Sequence, residues 1–192
     1  ASMASQYSSD RIISLCHGTT DDSAYAAVRF ADAFYISTHA AASSYMPLIA
    51  CEIVKFSLQN GVCPESALFF ATFALFKIFL QGDYSGGKSW SDVARKIIKS
   101  NPIKNTDSEV RTELLLHIAI DIFFMSPRDI SSKLMKNYRD AMKIGQVDSA
   151  MVCLLNAWRF RLLGGQNLSM ILQYFEDRVK LIAKYRHNLQ LG

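Results

Sequence analysis

The chain lacks the features that would place it in several broad classes. Its four cysteines, Cys16, Cys51, Cys63 and Cys153, are scattered and form no CxxC pair. In a chain of 192 residues that spacing reads as reduced, intracellular thiols rather than a disulfide framework. No basic segment followed by an apolar run opens the sequence, so no secretory signal is visible. The most apolar stretch, 67–80, is shorter than the ~20 residues a bilayer requires, and it carries Lys77. There is no GxxxxGK[ST], so phosphates cannot be held in the P-loop manner. Strand-like alternation bounded by hairpin turns is missing. Positive charge is in slight excess, 21 basic against 17 acidic residues for a net +4. That is short of the dense Lys/Arg stripe of a nucleic-acid binder. The expectation is a cytoplasmic, all-α protein with no membrane span, nucleic-acid partner, cofactor or metal. No catalytic constellation emerges, so it is not expected to be an enzyme.

What is present is hydrophobic and helical. Half of the residues are hydrophobic, which suits one large domain or a short solenoid. At this length folding buries roughly 70% of the extended chain's surface, so no staple is needed. Residues 1–18 are a polar, Ser-rich segment with a short helix expected at 10–17, and Ala1 fits a processed or excised fragment. Residues 19–192 are expected to form a single helical-repeat domain of eight or nine helices. Its centre is PESALFFATFALFKIFLQGDY, residues 64–84. Ala67, Ala71 and Ala74 form a small ridge beside a large one of Phe69, Phe73 and Phe76. Nearly all sides are apolar, so other helices should surround it.

Before it, Thr19 or Thr20 caps a helix reaching about His39, with Ala24, Val28, Ala31 and Tyr35 inward and Arg29 and Asp32 outward. Ser43 or Ser44 caps another, whose broad apolar face is Leu48, Ile49, Cys51, Ile53, Val54 and Leu58. Asn60-Gly61 ends it. After it, Trp90, Val93, Ala94, Ile97 and Ile98 mark an amphipathic helix over 84–99. The Pro102-containing loop SNPIKN separates this pair from the next helices. Thr106 or Asp107 caps a long helix to about Met125, with Val110, Leu114, Ile118 and Ile122 on one face and Leu115, Ala119 and Phe123 widening it. Ser126-Pro127 breaks it. Asp129 caps a helix with Ile130, Leu134, Tyr138, Ala141 and Met142 inward. Asp148 starts one with Met151, Leu154, Leu155, Trp158 and Leu162 inward. Asn167 caps the last, whose stripe is Ile171, Leu172, Phe175, Val179 and Ile182. Short loops favour antiparallel neighbours, and pairs stacked in series make an α-solenoid.

Ala71 and Ala74, the turn Gly82-Asp83-Tyr84, then Trp90 and Ala94 resemble a tetratricopeptide unit. Residues 144–150, IGQVDSA, repeat the theme, without the strict 34-residue period. Over roughly 45–178 the chain is similar to the helical region of very large signalling ATPases. There a helix ending in LSLxxG precedes PESA, a GDxxxG segment and a later glycine-aspartate turn. FSLQNG, PESA, GDYSGG and the stretch from Tyr138 to Trp158 stand at these places. The resemblance implies a tetratricopeptide-like array linking a nucleotide-binding ATPase to an output domain, often a histidine or Ser/Thr kinase.

Lys133, Lys136, Arg139 and Lys143 form a basic stripe at helical spacing, and Arg159 and Arg161 add charge on the next helix. Such a stripe is either a solvated face or a surface for an acidic protein segment, and it is the candidate partner-binding site. Glu109, Glu113, His117 and Asp121 recur every four residues, and the last three could offer ligands to a metal. A charged i, i+4 ridge is more simply a solvated face. Cys16-His17 point about 100° apart on a helix and read as a helix end. Ser85 to Ser89, SGGKS, lacks the upstream glycine and strand of a P-loop and reads as a turn. Trp90, Trp158 and the phenylalanines read as core rather than a cofactor box. The alternative function is an all-α small-molecule binder or enzyme with a Phe-rich apolar pocket around 69–79.

Overall fold

A helix with one apolar stripe must bury it against a neighbour, and helical stripes are what this sequence supplies. The computed structural model describes residues 22–40, 45–101, 106–173 and 176. All regular structure among the described residues is helical, so the chain is an all-α protein. By internal contact it divides into two compact units, Ala1–Lys104 and Asn105–Gly192. The expected short helix at 10–17, the caps at Thr19, Thr20, Ser43 and Ser44, the loop at Pro102 and the inner-stripe residues Phe175, Val179 and Ile182 lie outside the described residues.

The first unit holds α1 (Asp22–Ala40), α2 (Met46–Asn60), α3 (Ser66–Gln81) and α4 (Tyr84–Ser100). Ala67, Ala71 and Ala74 of α3 are fully buried, as are Phe69 and Phe70. Trp90 of α4 packs its ring 5.7 Å from Phe70 and 5.2 Å from Phe73. Aromatic pairs of this kind add about 0.5–1.5 kcal/mol each beyond their buried area. Thr72 satisfies its hydroxyl on the Leu68 carbonyl at 2.8 Å and lies 3.1 Å from the Tyr35 hydroxyl. Lys77, the one charge in this apolar helix, reaches its ammonium to Asp83 at 2.8 Å and to Gln81 at 2.8 Å. Its stem stays on the apolar surface while its head finds partners.

The reversal between α3 and α4 takes two residues. Gly82 has φ 64° and returns its N–H to the Ile78 carbonyl, a left-handed C-cap that suits glycine. Asp83 caps α4, its carboxylate accepting from the Gly86 N–H at 2.7 Å. Gly87 then lies against α3, where a Cβ would fall 2.3 Å from Ile78 Cγ1 and 3.0 Å from the Ala74 carbonyl oxygen. The stripe Trp90, Val93, Ala94, Ile97 and Ile98 is buried as expected.

Three expectations in this unit are corrected. Asp32 does not face outward; it is 6% exposed. In α2, Leu48 and Cys51 are exposed. The buried face runs through Met46, Ala50, Val54, Ser57 and Leu58, because Ala50 and Ser57 hold the i, i+4, i+7 register around Val54 and allow closer approach. Nor is α3 enclosed on every side, since Phe79 and Leu80 at its end are exposed.

The second unit holds α5 (Asp107–Leu115), which continues as a π turn (Leu116–Ile120) and a 3₁₀ turn (Asp121–Phe123), then α6 (Pro127–Lys143) and α7 (Val147–Leu163). Residues 168–173 are again helical, with the Asn167 side chain accepting from the Ser169 N–H at 2.9 Å. Thr106 caps α5 through the Glu109 N–H. The cap of α6 is Ser126, not Asp129. Ser126 Oγ accepts from the Asp129 N–H at 3.2 Å and donates to the Asp129 carboxylate at 2.7 Å, a reciprocal capping pair with Pro127 as first helical residue. For α7 the N-cap is Gln146, one residue before the helix and two before Asp148.

α6 and α7 pack on each other and on α5. Val110, Ala141, Ala150, Met151, Leu154 and Trp158 make one core cluster. Ile130, Leu134, Cys153 and Ala157 make another. Two buried polar side chains lock the helices in register: Asn137 donates to the Val110 carbonyl at 3.0 Å and Ser131 to the Ala157 carbonyl at 2.8 Å. Leu162, expected inside, is exposed. So are Ile122, Phe123 and Leu172.

The geometry of the α3–α4 hairpin leads to two testable outcomes. Gly87→Ala should lower the urea midpoint by an amount equivalent to about 1–3 kcal/mol, because the added methyl overpacks Ile78 and Ala74. The Lys77 ammonium and the Gly86 N–H hold the Asp83 carboxyl below its ordinary range. A lowered folded-state value means stability present above the unfolded value and lost as pH falls through the folded one. The melting temperature of Asp83→Asn should therefore fall below wild type at neutral pH and converge on it in acid.

Candidate functional site

At 100° per residue the side chains of Lys136, Arg139 and Lys143 fall within about 60° of one another on α6. All are exposed. The buried residues Ile130, Leu134, Asn137 and Ala141 occupy the opposite side. Lys143 is paired with Asp140 at 2.9 Å. Lys133 sits at the edge of this arc and is drawn away from it. Its ammonium lies 3.6 Å from the Asp121 carboxylate and 3.1 Å from Met125 Sδ.

The two arginines of α7 part company. Arg161 reaches across to α6, its Nε 3.3 Å from Ser131 Oγ. Arg159 is exposed, on the face of α7 nearly opposite, with a long contact of 3.4 Å to Asn156. Lys136, Arg139 and Lys143 thus form one surface, and Lys133, Arg159 and Arg161 each have other surroundings. The spacing missed Arg128, which precedes Arg139 by three helical turns on the same face. It is exposed and donates to the Gly164 carbonyl at 3.3 Å.

The ridge Glu109, Glu113, His117 and Asp121 is not uniformly a solvated face. His117 and Asp121 are each 4% exposed, and His117 Nδ1 lies 2.8 Å from Asp121 Oδ2. The π turn spanning them adds a residue to the helical repeat. Beyond it Asp121 is buried, and Ile122 and Phe123 are exposed. The Lys133 ammonium beside Asp121 competes for the charge a cation would need. Among the described residues no three His, Cys, Asp or Glu side chains converge as a metal-ligand set.

Ser85 to Ser89 form the opening of α4 rather than a turn. The Gly86 amide is already taken by Asp83 and the Lys88 ammonium by Asp92, so the chain's own acids occupy what a phosphate would use. Cys16-His17 lie outside the described residues. No family model, curated protein or solved structure matches this chain. Among the described residues no helix is long and apolar enough to cross a membrane.

An apolar groove lies along α7. Val152, Leu155, Asn156, Trp158, Arg159, Leu162 and Ile171 line a volume of about 450 Å³. Among the described residues its walls are hydrocarbon and indole, with Asn156 and Arg159 to orient a polar group. Sequence periodicity assigns Leu155 and Leu162 to the core; Val152 and Asn156 it passes over.

The thiols differ in what they can do. Burial pushes the Cys153 thiol up to about 12 and raises that of Cys63, so neither is a nucleophile at neutral pH. Cys51 is exposed. Of these three, iodoacetamide on the native protein should modify Cys51 first. Cys63 and Cys153 should react only after denaturation, as peptide mass spectrometry would read.

Proposed function

We propose that this chain is a non-catalytic protein-interaction module of a cytoplasmic signalling protein. Its helical hairpins stack as a degenerate tetratricopeptide-like solenoid that links a nucleotide-binding ATPase to an output domain. The outer face of α6 takes an acidic segment of a protein partner or of a flanking domain. The observation that carries this reading is the exposed arc Lys136, Arg139 and Lys143, joined by Arg128, on a helix whose opposite face is fixed in the core by Leu134 and Asn137. A cationic arc on a rigid helix can meet carboxylates without reorganising. The resemblance around Gly82-Asp83-Tyr84 supports the repeat assignment. So do the two hairpins α3–α4 and α6–α7, each turning at a glycine with positive φ, Gly82 and Gly145.

The alternative, an all-α small-molecule binder or enzyme, would need a Phe-rich apolar pocket around 69–79. Phe69 and Phe70 of α3 are fully buried, with Tyr35 edge-on to Phe69 at 6.0 Å and Trp90 against Phe70.

The test is a fluorescent polyglutamate peptide titrated with the full chain and followed by anisotropy. Binding should weaken steadily as salt is raised from about 50 to 200 mM. The double charge reversal Lys136→Glu, Arg139→Glu should weaken it at least about tenfold, equivalent to 1.4 kcal/mol, with an unchanged melting temperature. Binding indifferent to both salt and charge reversal would contradict the assignment of this face.

A further inference from the structure

The basic arc of α6 has a hydroxyl at its centre. At 100° per residue, Arg128, Arg139, Ser132, Lys143 and Lys136 follow one another around the helix within about 80°, and all of them are exposed. We propose that Ser132 is a phosphorylation site, and that a phosphoryl group on its Oγ is held by Lys136 and Arg139, with Arg128 on its other flank, and closes the arc to acidic partners. The closing of the arc rests on the acidic-partner reading of this face; the phosphate clamp does not.

Three observations lead there. First, the hydroxyl is accessible and its bond is local. Ser132 Oγ donates to the Arg128 carbonyl of its own helix at 3.0 Å, a bond the helix does not need. Its neighbour Ser131 is 2% exposed and donates to the Ala157 carbonyl of α7 at 2.8 Å, so that hydroxyl is closed to a kinase. Second, the cations are placed for it. Arg128 and Lys136 stand four residues before and after Ser132, about 6 Å along the axis, the spacing at which helical side chains meet. Side chains lean toward the N-terminus of a helix, so Lys136 and Arg139 lean toward Ser132. Among the described residues neither is paired with an acid, whereas Lys133 is drawn to Asp121 and Lys143 to Asp140. Arg128 holds the Gly164 carbonyl through Nε, and a guanidinium keeps further N–H donors beyond that one.

Third, little opposes a phosphate there. Asp129 is the one acid between Arg128 and Lys136 in the sequence. Its carboxylate accepts from Ser126 Oγ at 2.7 Å at the start of the helix, about 60° around the axis from Ser132. A phosphoserine carries a charge of about −1.5 to −2 and three acceptor oxygens, so it takes charge-assisted hydrogen bonds from an ammonium and a guanidinium together. The phosphoryl donor is a nucleoside triphosphate on a Ser/Thr kinase. The Ser132 oxygen bonds to the γ-phosphorus, its proton passes to a base of the kinase, and the bond from the γ-phosphorus to the β,γ-bridging oxygen breaks as nucleoside diphosphate leaves. With Lys136 and Arg139 neutralised from within the chain, the arc loses the field that draws carboxylates.

The test keeps the full chain. A Ser/Thr kinase that phosphorylates Ser132 in a synthetic peptide of residues 126–140 should, with ATP, phosphorylate Ser132 of the native chain and leave Ser131 unmodified, as peptide mass spectrometry would read. In the phosphorylated chain, phosphorus NMR should place the second ionisation of the phosphate at least about 0.5 pH unit below its value in the urea-unfolded chain, since a nearby cation favours the dianion. Lys136→Gln with Arg139→Gln should bring the two values together. Phosphorylation should also weaken polyglutamate binding at least about tenfold. A native chain left unmodified on Ser132 would overturn the proposal. So would equal ionisation in the folded and unfolded chain, or polyglutamate binding that phosphorylation leaves unchanged. If the unmodified chain binds no polyglutamate while the ionisation is lowered, the acidic-partner reading fails and the phosphate clamp stands.

Discussion

The pairing of the buried Asp121 carboxylate with His117 and Lys133 decides how the second unit presents its basic surface. Between Leu116 and Ile120 the hydrogen-bond ladder widens to a π turn, and a short 3₁₀ turn, Asp121–Phe123, ends the helix. Asp121 is buried just beyond the π turn, 2.8 Å from His117. A carboxylate so placed requires partners, because burying an unpaired charge costs several kcal/mol. His117 supplies one and the Lys133 ammonium adds another at 3.6 Å. Lys133 is thereby tied to the end of α5, and the basic stripe of α6 is narrowed to Lys136, Arg139 and Lys143. Ile122, Phe123 and Phe124, where the helix ends, are exposed, although they continue an apolar pattern.

Polar groups in this unit set the register. Asn137 and Ser131 stand on the buried side of α6 and bond to backbone carbonyls of α5 and α7. Each satisfies a buried group that would otherwise cost about 1–3 kcal/mol. They fix the rotation of α6 about its own axis, which in turn fixes which residues face solvent. The first unit reaches close packing differently. Its two-residue reversal and the small residues Ala71, Ala74 and Gly87 let α3 and α4 approach until Trp90 can lie between Phe70 and Phe73.

Much of the fold is legible in the sequence because period and punctuation agree. Trp90, Val93, Ala94, Ile97 and Ile98 repeat without interruption, and Asp83 caps the helix they lie on. Gly82, Gly145 and Gly165 stand where left-handed backbone is needed. The illegible parts have a common cause. Periodicity puts Ile122 and Phe123 in the core and Asp121 in solvent, because it cannot read where the helix ends or that Asp121 finds His117 and Lys133. Small residues are also undervalued by hydrophobic pattern. Ala50, Ala150 and Ala157 are fully buried while the larger Leu48 and Leu162 are exposed, because close helix approach favours shape over hydrophobicity. Of the candidate surface, spacing finds the basic arc. It cannot tell that Lys133 is recruited by Asp121 or that Arg161 turns toward Ser131, since both depend on contacts between helices.

The buried contact of Asp121 with His117 is the claim on which the shape of the α6 surface rests. A double-mutant cycle in urea tests it most directly, using His117→Ala, Asp121→Ala and the pair. Residues joined in one buried network couple by about 0.5–3 kcal/mol, and independent sites add within about 0.3–0.5 kcal/mol. The account predicts coupling of at least about 1 kcal/mol between His117 and Asp121. Additive single effects would contradict it.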